Sequence, residues 1–249
     1  MNVQDPAISK QSLSEQVYAR LRDRILSREL PEGSELPSER LLAETLQVNR
    51  GAVREAIKRL QQARLVRVRH GGATLVENFE AEAGLELLPH LMVNALGQPN
   101  LELAKGIVAL RKALAPVVAS HAARHGTAEL HAMLEKLLEQ MRQVVTDADS
   151  AQRLSALQQL AFDYWHAVVQ HSGNMVFKLA FNSMNQTYRA AWHALTHVMA
   201  EEFCDVETLA QLAQALKAGE HRRCEVLARQ HVELGSRALD KALNTLQNQ

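Results

Sequence analysis

Residues 36–76 read LPSERLLAETLQVNRGAVREAIKRLQQARLVRVRHGGATLV, and this stretch decides the fold of the first part of the chain. Ser38 precedes SERLLAETL's run of helix formers, where a serine oxygen can accept from the free N–H groups of a first turn. Gln47-Val48-Asn49 makes a three-residue turn, and Asn49 is a good N-cap for a further helix, RGAVREAIKRLQQARL. Val53, Ile57 and Leu60 form the inward stripe of that helix, because residues three and four apart share one face. VRVRH then alternates apolar and basic residues as a strand does, Gly71-Gly72 turns the chain, and ATLV returns as the partner strand.

Upstream, segment 13–28 carries Val17, Leu21 and Ile25 at four-residue steps, an amphipathic helix that Ser12 or Ser14 can cap. The stretch LPEGSELP, with Pro31, Gly33 and Pro37, stops it. Three helices with a short turn between the second and third, then a two-stranded wing, make a winged helix-turn-helix. In that arrangement the third helix lies in the DNA major groove and offers its N-terminal residues to the bases. Arg50 and Arg54 stand one turn apart, away from the apolar stripe, and arginine is well shaped to bridge guanine O6 and N7.

The formal net charge of zero hides an uneven distribution. Residues 1–78 hold 13 Lys+Arg against 10 Asp+Glu, and the remainder holds 15 against 18. Residues 50–70 alone contain seven basic side chains and one acidic one, enough for a local phosphate-binding patch on a neutral chain. At 249 residues two domains are expected: 1–78 for DNA binding and 79–249 for a second, all-helical bundle, so the fold class is mainly α. Amphipathic helices are expected over 82–96, 101–125, 127–146, 151–172, 174–199, 205–217 and 219–246. No run reaches the ~18 consecutive apolar residues of a membrane helix, and MNVQDPAISKQS has no secretory pattern. Two cysteines, Cys204 and Cys224, fit a reducing cytoplasm.

Through LPSER, the REA of the third helix and the HGG of the wing, residues 12–76 resemble the GntR family of bacterial regulators. The helical remainder resembles the effector domain of the FadR subfamily, through ALRKAL, HSGN at 171–174 and AGE at 218–220. Within it, VENFEAEAGLELL and HSGNMVFKLAFNSMNQTY are most similar to the fatty-acid-regulating branch. The resemblance implies DNA contacts at Arg40, Asn49, Arg50, Gly51 and Arg54, with His70 and Gly71 of the wing tip entering the minor groove. That branch carries threonines where Asn49, Gly51 and Ala52 stand here, which implies a related rather than identical operator.

For the sensor, the resemblance implies two chemistries. Many relatives hold a small carboxylate through a divalent metal on an Asp and three His. Here Asp163 and His166 are three apart rather than four, His231 stands at the final position, and Leu209 occupies the middle one. The pairs His121/His125 and His193/His197 have chelating spacing, but such pairs are mostly exposed or hydrogen-bonded imidazoles. The second chemistry is a metal-free bundle that admits a fatty acyl-CoA, favoured by the missing histidine, by Tyr188 and by the apolar MVFKLAFNSM. The glycine, serine and tryptophan near the ligand in that branch correspond here to Val232, Gly235 and Leu239. Arg111, in the apolar context IVALRKALAPVV, is the expected anchor for a carboxylate or phosphate, or else ties helices together. No cofactor and no metal is assigned.

The expected function is a homodimeric, ligand-responsive, DNA-binding transcription regulator on a pseudo-palindromic operator. A metal-held carboxylate effector, or an architectural DNA-binding protein without an effector, are the alternatives. No nucleophile, base and oxyanion site are grouped in the sequence, which argues against an enzyme.

Overall fold

Ser12 opens helix α1 (Leu13–Leu26), its Oγ accepting from Glu15 N at 3.2 Å. A computed structural model of the chain describes residues 12–69, 72–92, 100–146, 150–190 and 192–247. Ser38 caps α2 (Glu39–Leu46) and Asn49 caps α3 (Arg50–Gln62), as their positions predict. Val17, Leu21 and Ile25 of α1 meet Val53, Ile57 and Leu60 of α3 in one core, with Leu42 of α2.

Two helices end earlier than their spacing suggests. α1 stops at Leu26 and α3 at Gln62, where Arg28 and Arg64 take left-handed backbone, at φ 59° and 55°. After α3 the N–H of Leu65 reaches Leu60 O at 2.9 Å and that of Arg64 reaches Gln61 O at 3.0 Å, so the last carbonyls are satisfied by a Schellman closure. Gln47, at φ 54°, closes α2 in the same way and sets the turn into α3. Burial of Leu65 at 0% exposure just past the turn offsets the roughly 1 kcal/mol that left-handed backbone costs a non-glycine residue.

The wing pairs β1 (Val66–Val68) with β2 (Thr74–Val76) in antiparallel register, Val66 opposite Val76 and Val68 opposite Thr74. The segment 33–36, expected only as a helix-stopping loop, also runs along β2: Leu36 N bonds Thr74 O and Val76 N bonds Ser34 O. The wing root therefore has hydrogen-bonded neighbours on both sides of β2.

A single helix over 82–96 does not form. The described chain there consists of α4 (Phe79–Glu82), a 3-10 turn at Leu85–Leu87 and α5 (Leu88–Leu91), with residues 93–99 outside the described set. Ala83 and Gly84 are extended, at ψ 166° and −171°, which breaks the helical ladder. Leu87 is buried in the first core, and Phe79, Ala83 and Leu91 pack on it. The chain divides into two compact units, Met1–Pro99 and Asn100–Gln249, so the change of sequence character at residue 79 lies inside the first unit.

The second unit is all helical: α6 (Leu101–His125), α7 (Ala128–Thr146), α8 (Ser150–Gln170), α9 (Met175–Ala190), α10 (Trp192–Val198), α11 (Ala200–Cys204), α12 (Val206–Lys217) and α13 (His221–Gln247). α6 and α13 share its most extensive contact. Leu130, Leu134, Leu138 and Met141 of α7 form one buried stripe against Leu157, Ala161, Tyr164 and Val168 of α8. Leu209, Leu212 and Leu216 of α12 join the same core. The Tyr164 hydroxyl donates to Leu209 O at 2.8 Å, which satisfies a phenol buried completely. The expected helix 174–199 is in fact α9 and α10, with position 191 between them outside the described residues. At Met199 the backbone departs from helical angles (φ −98°, ψ 18°), and the short α11 that follows holds Glu202 buried. No helix among the described residues is long and apolar enough to cross a membrane.

Candidate nucleic-acid interface and effector site

α3 is two-faced. Ala52, Val53, Ala56, Ile57 and Leu60 are buried, while Asn49, Arg50, Gly51, Arg54 and Lys58 are exposed. Arg50 makes no hydrogen bond or ion pair with any described residue. Arg54 Nε contacts Glu39 Oε2 at 3.3 Å, and Arg40, on α2, contacts Glu44 one turn on at 2.8 Å. Exposed pairs of this kind are worth about 0–1 kcal/mol, so both arginines can exchange a carboxylate for a phosphate or base edge at small cost.

Not every member of the basic run is available. Arg59 lies over the Tyr18 ring at 4.3 Å and forms two hydrogen bonds with Glu15, tying α3 to α1. The hydrogen bond with Arg59 holds the Glu15 carboxyl below its ordinary range and raises the guanidinium above its own. Arg64 donates to Glu82 O at 3.1 Å, and Arg67 pairs with Glu77. Arg50, Arg54 and Lys58 remain as the outward basic charges of α3, with Lys58 paired to the exposed Glu55 at 2.9 Å. His70 and Gly71, expected at the wing tip, lie outside the described residues.

The cap is part of this face. Asn49 Oδ1 accepts from Ala52 N at 2.8 Å, and a Cβ on Gly51 would sit 3.1 Å from that same oxygen. Asn49→Ala is expected to cost about 1 kcal/mol of stability, the usual worth of an N-cap, measurable as a lower urea midpoint with an unchanged m-value. A variant as stable as the parent would show that the cap does not hold α3.

In the helical unit, Arg111 and Tyr188 fall within electrostatic reach of each other. Arg111 is not a free anchor: Nη1 donates to Glu202 Oε2 at 2.8 Å and Nη2 to Glu202 Oε1, a two-point pair that links α6 to α11. Glu202 is 2% exposed and Arg111 26%. Desolvation pulls the guanidinium pKa down, but the Glu202 charge and its hydrogen bonds together outweigh it and the net shift is upward. Behind the pair, His231 is wholly buried, with Nδ1 3.2 Å from Asp205 Oδ2 and Nε2 3.7 Å from Glu202 Oε1. Burial raises the Asp205 carboxyl, yet hydrogen bonds from His231 and Thr208 leave it below its ordinary value.

Tyr188 heads an aromatic group. Its ring stacks on Phe162 at 5.9 Å and meets Trp192 edge-on at 5.2 Å, and Phe162 continues to Phe181 at 5.7 Å. The Tyr188 hydroxyl accepts from Gln158 Nε2 at 3.3 Å, and burial pushes its pKa up. Val232 is fully buried, Leu239 packs on the core, and Gly235 lies against Glu202 and Met199.

Asp163, His166 and His231 do not come together. Asp163 accepts from Gln159, His166 bonds Gln170 and stacks on Phe162 and Phe181, and His231 turns to Asp205 and Glu202. Among the described residues no three His, Cys, Asp or Glu side chains are grouped to hold a metal ion. His193 and His197 are exposed, and His121 packs edge-on against Phe177 at 5.2 Å. Sequence reasoning passed over Glu202, Asp205 and Trp165, because EEFCD reads as a polar helix end. The one local signal was Gly235, four residues after His231, where a helix omits a side chain for a close neighbour.

The chain matches two family models: bacterial regulatory proteins of the gntR family over residues 13–76, and the FCD domain over 106–234. It is 34% identical over 232 residues to the HTH-type transcriptional regulator Mce2R of Mycobacterium tuberculosis, covering 93% of each chain. It is 28% identical over 206 residues to the fatty acid metabolism regulator protein of Yersinia pestis, covering 78% of this chain and 81% of the relative. Among solved structures, Lar, which controls the expression of the Listeria monocytogenes agr system, shares the fold with a TM-score of 0.55. Its identity is 14%, over 94% of this chain and 99% of that one. The chain thus belongs to the GntR family: it is a DNA-binding transcription regulator of the winged helix-turn-helix type, with an FCD domain as its helical unit.

Proposed function

We propose that this regulator acts as a homodimer on a pseudo-palindromic operator in the cytoplasm, and that a fatty acyl-CoA entering its helical unit changes its DNA affinity. Arg40, Asn49, Arg50, Gly51 and Arg54 contact the duplex, with His70 and Gly71 in the minor groove. Two-fold protein symmetry is matched by two half-sites. The observation that carries the effector class is the aromatic row of Tyr188, Phe162, Phe181 and Trp192 in the same helical unit as the half-buried Arg111. A guanidinium suits an acid or phosphate group and the aromatic row suits an acyl chain. The relatives named as fatty acid metabolism regulators support the same class. A divalent metal beside Glu202 would have to displace the Arg111 guanidinium, which already uses both carboxylate oxygens.

The test is the thermal midpoint of the full chain with and without oleoyl-CoA. A ligand at 100 times its dissociation constant adds about 2.7 kcal/mol if it binds only the folded state, a clear rise in midpoint. No rise at saturating oleoyl-CoA would remove the acyl-CoA class.

A further inference from the structure

The centre of the helical unit has more polar capacity than its own side chains use. His231 Nε2 and Trp165 Nε1 are buried without a hydrogen-bond partner among the described residues, and the two rings lie 6.1 Å apart. His231 Nε2 faces Glu202, the carboxylate that Arg111 holds. Gly235 leaves the room for that carboxylate, since a Cβ there would collide with Glu202 Oε2 and lie 2.6 Å from Met199 Cε. The residues that form this seat stand on long helices, α6, α8 and α13, of 25, 21 and 27 residues. Glu202 comes from α11, five residues long and entered through the non-helical Met199. α11 itself is anchored by Phe203 in the core and by α8 and α13, so the movable part is the Glu202 side chain. The Arg111 side chain retains 26% exposure while Glu202 has 2%, so the arginine is the partner nearer to solvent.

We propose that Glu202 is a built-in occupant of an anion seat, and that the effector's carboxylate or phosphate group exchanges with it on Arg111. The effector's acid takes the guanidinium and comes within reach of the unpartnered Trp165 and His231 nitrogens. The Glu202 carboxylate swings off the guanidinium, and this displacement is the first structural change of the response. Effector binding then costs the loss of the Arg111–Glu202 pair, which sets a threshold against weak anions. This exchange rests on the reading that the helical unit takes an acid-bearing effector.

The experiment compares the full-length parent with Glu202→Gln and Gly235→Ala, titrated with oleoyl-CoA and, separately, with inorganic phosphate at constant ionic strength. Binding is read by the tryptophan fluorescence and by the thermal midpoint. Glu202→Gln removes the competing charge and is expected to bind both probes about tenfold tighter, the scale of one charged contact. Gly235→Ala drives the carboxylate from its seat and is expected to act in the same direction, so it decides the matter if Glu202→Gln fails to fold. Unchanged or weaker binding of both probes makes Glu202 a structural counter-ion and overturns the exchange. Tighter phosphate binding in the variants, with no oleoyl-CoA binding by any form, keeps the exchange and removes the acyl-CoA class. Oleoyl-CoA binding by the parent that no variant improves keeps the acyl-CoA class and removes the exchange.

Discussion

Arg111→Met is expected to destabilise the helical unit by about 3–5 kcal/mol at neutral pH, because it strands the buried Glu202 carboxylate without its partner. At about 2–4 °C per kcal/mol for a unit of this size, the thermal midpoint should fall by about 10 °C. Urea midpoints of variant and parent should differ in the same direction, with an unchanged m-value. The double variant Arg111→Met with Glu202→Leu should recover most of the loss, since apolar replacement of a whole buried pair is often neutral. A single variant within about 1 kcal/mol of the parent would show that the pair does not hold α6 to α11.

Arg50→Ala is expected to weaken operator binding by about 1–3 kcal/mol, the usual worth of one good arginine contact with a base. Arg50 is exposed at the first position of α3 and, among the described residues, has no partner to give up on entering the complex. Arg54→Ala should cost less, because Arg54 first releases Glu39. For the same reason Glu39→Gln should tighten binding: it frees Arg54 and removes a negative charge from the DNA-facing side. Fluorescence anisotropy on a labelled operator over a series of salt concentrations separates the roles. A base contact changes discrimination between the operator and a point-mutated site, whereas a phosphate contact changes the salt slope by about one charge. If Arg50→Ala binds both sites as the parent does, α3 is not the element that reads the duplex.

The DNA-binding unit was legible because its signals are local. Ser12, Ser38 and Asn49 cap the helices their positions predict, and the period of Val53, Ile57 and Leu60 places the outward face of α3 without any knowledge of the tertiary structure. The helix ends at Arg28 and Arg64 were less legible, since left-handed closure there uses arginine where the usual sign is glycine, and what fixes it is packing just beyond the turn. The break of the segment 82–96 has the same origin: Phe79, Leu87 and Leu91 fold back onto the first core, a gain that helical periodicity cannot register.

The sequence by itself determined two units, a reading head with outward arginines, and an arginine set among apolar residues in α6. Only the tertiary structure decided what that arginine meets. Arg111 and Glu202 are 91 residues apart, and their pairing depends on where the short α11 packs and on a missing side chain at Gly235. Capping and amphipathic spacing are interactions within a few residues, so they are written in the chain. The charge of a buried group is settled by whichever distant side chain reaches it, because in a low-dielectric interior its partner outweighs every local preference.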